Sequence, residues 1–399
     1  MACAATALGL CSATLIAPQR GDGRKQAVSA LRDARALIST VRSLLANARP
    51  MWHSTLKLVF SPNITNGKVR VPMLILSEFD IRFQLPAPAA MVAVLHLHPS
   101  IESRLRTGNE LLIERSTADV PESTDYPRTI VPYREYFDSF GNRCARFVAR
   151  AGYLRLSNAS VIDADPEPDR IYAHAPQAPI ENLPSEILQF LLPSRYCEVD
   201  RFAGIAQDLF GSITPGWARA VAIRDWVHEK VIFNYNAARP TKTAMDVFTE
   251  RTGVCRDFQH LAITLTRCQN IPARYVTGYI GDIRMPYSGP GDFSAWYQVF
   301  LDGQWVDLDA RHNYPRLGRI LVATGRDAAD VAITTSFGAA YLTHFYVESC
   351  EIDSAGNRIS NRPPGTQPPA PRPGTADVVT PTQTNSGEFS PTQTQSGTW

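Results

Sequence analysis

The chain has 399 residues, 44% of them hydrophobic and 20% charged, enough for two or three domains with buried cores. Forty basic and 38 acidic side chains leave a formal net charge of +2, so charge gives no reason to expect nucleic acid or an anionic membrane as a partner. No apolar run approaches the ~20 residues that span a bilayer. Seven cysteines, at positions 3, 11, 144, 197, 255, 268 and 350, are scattered and lack paired metal spacing. They point to reduced thiols in the cytoplasm and away from a disulfide framework or zinc site, and no metal or other cofactor is expected.

Met1 to Ala17 is apolar and uncharged. Leu8-Gly9-Leu10-Cys11 has the outline of a lipoprotein site, but no basic stretch precedes it and Leu10 is too large for that cleavage. Residues 1–50 are therefore read as a non-secretory extension, with one helix from Lys25 to Ala48 on apolar residues at helical spacing. Residues 51–162 change to short strands bounded by turn residues: Leu56–Phe60, Arg70–Leu76, Ile81–Leu85, Met91–Leu97, Leu111–Glu114, Arg128–Tyr133 and Cys144–Val148. That pattern predicts an antiparallel, sandwich-like β domain. His96 and His98 flank Leu97 on what reads as one strand face, but no third ligand accompanies them, so a structural role is expected.

Proline-rich residues 163–184 read as a linker. Residues 185–353 predict an α+β domain, with helices first and an antiparallel sheet after them. The helices are expected at Ser185–Leu192, Arg201–Phe210, Pro215–Val231, Ala244–Arg251 and from Cys255 onward. The strands are expected at Ala273–Ile280, Ser294–Leu301 and Gln304–Asp309, with a last one through Tyr341–Ile352. Residues 354–399 are rich in Pro, Thr, Gln, Ser and Gly and read as a disordered tail.

Chemistry concentrates at Cys255. A Gly turn feeds its helix, and a thiol in a first helical turn meets unpaired N–H groups and the positive end of the dipole, both of which favour thiolate. Thiol catalysis also needs a base and a group that orients the base. Asp302-Gly303 reads as a two-residue type I′ turn, which pairs Leu301 with Gln304 and, carried onward, Trp296 with Asp309 and Ser294 with Arg311. Ser294 and Asp309 are then diagonal neighbours. A histidine at 294 could reach Asp309, whereas a serine is too short and is no base near neutral pH. His312 is the available substitute. A regular strand would turn it to the opposite face, but a strand ending near Ala310 leaves its direction free. His260 is read as a packing histidine, and Asp307 as a solvated strand carboxylate.

The run Gly253-Val-Cys-Arg-Asp-Phe-Gln-His-Leu-Ala, then Ile271-Pro-Ala-Arg-Tyr-Val-Thr-Gly-Tyr279, then Ala295-Trp296 and Trp305-Val-Asp-Leu-Asp309 resembles the bacterial transglutaminase-like proteins of papain-type fold. Gly325-Arg-Asp-Ala-Ala-Asp-Val-Ala332 extends the likeness, and the β region resembles the N-terminal domain that accompanies such cores. The family pattern implies Cys at 255, His at 294 and Asp at 309, and this chain departs from it at Ser294. The implied activity is attack of Cys255 on a peptide or carboxamide carbonyl, with hydrolysis or acyl transfer of the thioester. Asp309 would orient a base, with His312 the candidate. The alternative is a pseudoenzyme that keeps the core as a peptide-binding or scaffold module. The implied partner is a peptide or protein substrate.

Overall fold

A computed structural model of the protein describes residues 64–65, 68–69, 73–116, 128–286 and 291–359. The expected helix Lys25–Ala48, the strand Leu56–Phe60 and residues 360–399 of the expected tail lie outside the described residues. Strands of four or more residues are labelled: β1 Met73–Leu85, β2 Ala89–Ala93, β3 Leu112–Ser116, β4 Arg134–Phe137, β5 Arg143–Ala149, β6 Gly152–Ala164, β7 Ala273–Ile280, β8 Phe293–Leu301, β9 Gln304–Leu308, β10 Arg319–Gly325, β11 Thr334–Phe337 and β12 Tyr341–Ile352. The described α-helices are α1 Val199–Phe210, α2 Trp217–Lys230, α3 Ala244–Glu250 and α4 Cys255–Cys268.

The N-terminal half forms two antiparallel sheets. One has the order β12-β1-β6-β3 with the short strand Thr129–Ile130 at its edge, and the other has the order β11-β2-β5-β4. β1 is a single long strand where two were expected. Its polar residues Glu78, Asp80, Arg82 and Gln84 continue the alternation with the buried Phe79, Ile81 and Phe83, so period 2 is never broken. Asp80 accepts from Arg82 and Arg155, which gives the outward face of the sheet its charge pairing. His96 and His98 fall beyond the end of β2 and share no strand face. His96 is fully buried, and burial with the nearby Arg143 charge pushes it down to about 4. The His98 ring accepts from the Ser100 amide at the start of a 3-10 turn.

The second half places α4 at the centre. It is buried along nearly its whole length. The sheet β9-β8-β7-β10 packs on it, and α1, α2 and α3 also make contact with it. The β8–β9 hairpin has the expected register, Leu301 with Gln304 through Tyr297 with Leu308. Asp302 and Gly303 both have positive φ, at 50° and 73°, as a type I′ turn requires. Residues 185–192 form only short 3-10 turns where a helix was expected.

The last expected strand belongs elsewhere. β12 pairs along β1, Tyr341 with Gln84 to Ile352 with Leu74, and β11 pairs with β2. The chain therefore leaves the α4 sheet after β10 and returns to close both N-terminal sheets, so the expected 185–353 unit is not one sheet system. Alternation alone could not show this, because a strand pattern does not name its partner. Asn142 adds a second join. Its amide bonds both the N–H and the C=O of Thr324 on β10, at 2.8 Å each.

Candidate active site

The turn into α4 is built around Asp257. Its carboxylate accepts from the Val254 amide at 3.0 Å and from Arg256 at 3.0 and 2.9 Å. A Cβ on Gly253 would lie 2.6 Å from that of Asp257, so the glycine lets the carboxylate close over the helix start. This fixes Cys255 as the first helical residue, partly exposed. Burial pushes the Cys255 thiol up, and Asp292 and Asp257 push the same way. Arg311 and a backbone hydrogen bond from Ala295 pull it down, and the net direction is upward.

Gln259 is four residues further along α4 and so shares a face with Cys255. Its Nε2 donates to Asp309 Oδ1 and to the Ala295 carbonyl, both at 3.2 Å, and its Oε1 accepts from the Ala310 amide. One side chain thus ties the thiol-bearing helix to β8 and to the end of β9.

β9 stops at Leu308, so Asp309 has no ladder partner and the expected Trp296–Asp309 and Ser294–Arg311 pairs are not formed. A turn follows, closed by the Asn313 amide on the Asp309 carbonyl at 3.0 Å. Asp309 Oδ1 accepts from the Arg311 and His312 amides at 2.9 and 3.1 Å. Its Oδ2 meets His312 Nδ1 at 2.9 Å and Arg319 at 3.3 Å. A carboxylate only accepts, so Nδ1 carries the proton and the free lone pair of a neutral ring is at Nε2. Burial by itself would raise the Asp309 carboxyl. The His312 hydrogen bond and the Arg319 charge overturn that and hold it well below the usual carboxylate range.

The turn is held from outside as well. His228 on α2 donates from Nδ1 to the Arg311 carbonyl at 2.9 Å, and the Arg311 guanidinium stacks on Phe233 at 3.9 Å. On the far side of the sheet, Arg319 bonds Asp169 at 2.8 Å and lies over the Trp296 ring at 5.2 Å. Asp307, expected to be solvated, accepts from Trp296 Nε1 and Gln298 Nε2 at 2.7 and 2.8 Å.

Of the four residues singled out in the sequence, Asp309 and His312 are brought into direct contact. Ser294, opposite Gly278 on β7, lines the same cavity as Cys255. That cavity is small, about 20 Å³, and its other walls include Tyr275, Thr277, Phe293 and Val331. His260 is a packing residue, stacked on Tyr196 at 4.8 Å and accepting from the Ala328 amide. Gln259, His228 and Arg319 were not singled out. The i+4 spacing from Cys255 could have found Gln259, whereas nothing local marks the other two.

Residues 203–310 match the model of the Transglutaminase-like superfamily. This segment is a transglutaminase-like core. The match takes in Cys255, Ser294 and Asp309 and stops two residues before His312. A solved structure of a candidate cysteine protease from Cytophaga hutchinsonii is 29% identical, with a TM-score of 0.60 over 73% of this chain and 94% of that one. An uncharacterized protein of Mycobacterium leprae is 28% identical over 212 residues, which is 49% of this chain and 73% of the relative. One from Mycobacterium tuberculosis is 27% identical over 216 residues, 49% of this chain and 68% of the relative. The transglutaminase-like core here is preceded by antiparallel sheets, the α+β arrangement expected from the sequence. Among the described residues, no helix is long and apolar enough to cross a membrane.

Proposed function

We propose that the transglutaminase-like core is a thiol enzyme acting on peptide or carboxamide bonds of a peptide or protein substrate. Cys255 is the nucleophile, His312 the general base, and Asp309 the group that orients it. The sulfur attacks the carbonyl carbon to give a thioester, with backbone N–H groups at the start of α4 holding the developing oxyanion. Water or an amine then resolves the thioester. The observation that carries this reading is the 2.9 Å bond from His312 Nδ1 to a buried Asp309, the base–orienter pair that thiol catalysis needs in a chain with serine at position 294. The likeness to a candidate cysteine protease is in keeping with it. Cys144, Cys197, Cys255 and Cys268 are free thiols, which accords with a reducing, cytoplasmic setting.

A second reading has its own observation. Burial raises the unaided Cys255 thiol, as befits a peptide-binding scaffold that has lost its base. The two separate on the rate of Cys255 alkylation by iodoacetamide across pH, followed by peptide mass spectrometry. The enzyme reading expects reaction well below the ordinary thiol pKa of about 8.5 in the wild type. It expects that low-pH limb to vanish in His312→Ala, with Cys255→Ala as the blank. Wild type and His312→Ala superimposing at an ordinary or raised pKa, with activation only in Ser294→His, would establish the scaffold.

A further inference from the structure

β7 turns Tyr275 toward α4. The residue is 4% exposed, and its ring packs 5.2 Å from that of His260. It lines the cavity that Cys255 lines, and its hydroxyl makes no hydrogen bond among the described residues. Burial and the neighbouring thiol hold the phenol well above its usual range, so it keeps its proton at any working pH. Arg256 is another wall of the same cavity. Its Nε and Nη2 bond Asp257, while Nη1 is buried without a hydrogen-bond partner. Tyr275 and Arg256 thus bring two donor-bearing side chains to the walls of the cavity that Cys255 lines. Such a site suits an oxygen gaining negative charge and disfavours an ammonium group, and an unpaired buried donor is costly unless something fills it.

We propose that Tyr275 is a catalytic residue of the thiol chemistry, its hydroxyl donating a hydrogen bond to the carbonyl oxygen of the group that Cys255 attacks, with the Arg256 charge behind it. The inference rests on the thiol-enzyme reading and adds a side-chain donor to the backbone ones. As the C–S bond forms, the carbonyl π pair moves onto oxygen and Tyr275 holds that oxyanion. On collapse the pair returns, the C–N bond breaks and the amine leaves with a proton from the base. Tyr275 keeps its own proton throughout.

The test compares two reactions of Cys255 in the full chain. Acetylation by p-nitrophenyl acetate passes through an oxyanion, whereas alkylation by iodoacetamide is a displacement that does not. Tyr275→Phe keeps the ring packing and removes only the donor. Its Cys255 acetylation is expected to fall about 10²–10³-fold, the cost of one lost oxyanion donor, with alkylation unchanged. Acetylation at the wild-type rate would overturn the role of Tyr275 and leave the thiol enzyme standing. Equal loss of both reactions would also overturn it, by showing that the phenol merely maintains the setting of the thiol. No Cys255 acetylation in the wild type would sink the thiol-enzyme reading and this inference together.

Discussion

Asp309 shows how one carboxylate can serve both stability and a site. It is 3% exposed and collects donors from His312, Arg311, Gln259 and Arg319. Removing one partner of a buried charge pair leaves the other unpaired, so Asp309→Ala is expected to cost about 3–5 kcal/mol near pH 7. The pH dependence follows from the depressed folded-state pKa. The stabilisation is complete above the unfolded value of about 3.9 and declines only as pH falls toward the folded value. In urea unfolding, the gap between wild type and Asp309→Ala should be constant from neutral pH down to about 4.5 and narrow below about 4. A gap that closes between pH 7 and 5 would point to a different titrating group.

Within the elements, the decisive feature is a gap in β7. Gly278 lies under the Trp296 ring, with Arg319 above that ring. A Cβ there would strike the Ile320 carbonyl oxygen and come within 2.7 Å of Trp296. Gly278→Ala is therefore expected to destabilise by at least the ~1–3 kcal/mol of an overpacked core, with a change in Trp fluorescence. An unchanged unfolding midpoint would mean that the sheet relaxes freely at its bulge between Thr277 and Gly278. The same region shows what was legible in the sequence. Asp302-Gly303 fixed the hairpin register, because two residues in a positive-φ turn leave little choice. Projecting that register past Leu308 failed, because the side-chain bonds that end β9 come from Gln259 and His228, which are distant in the chain. His312 was found as a candidate because a histidine near the end of a strand is visible. Its orientation depends on where the strand stops, and alternation does not encode that. Asp307 is partly exposed, and it also accepts from Trp296 and Gln298, which the hairpin register already sets on its face.

At the scale of the molecule, several contacts bind the N-terminal sheets to the transglutaminase-like core, the His98 amide on the Leu321 carbonyl at 3.0 Å among them, and two stand out. One is the return of β11 and β12 to sheets laid down by β1 and β2. The other is Asn142, fully buried, bridging to β10. Asn142→Ala would leave the Thr324 N–H and C=O unpaired, at about 1–3 kcal/mol for each group. Amide exchange along β10 should quicken in that variant before the protein melts as a whole. Exchange no faster than in wild type would mean that the core sheet is indifferent to the join.

The pairing of β11 with β2 also sets an order of events. The Val94 amide bonds the Ile333 carbonyl at 2.9 Å, and Ile333 is one wall of the cavity around Cys255. A wall of the thiol's chamber is thus moored to strands made early, while the mooring segment is made late. On the ribosome, Cys255 emerges long before residues 333–352 do. Until they arrive, β1 and β2 each lack an edge partner and the chamber lacks a side. A nascent chain would therefore carry an unfinished chamber around the thiol until residues 333–352 pair with β2 and β1.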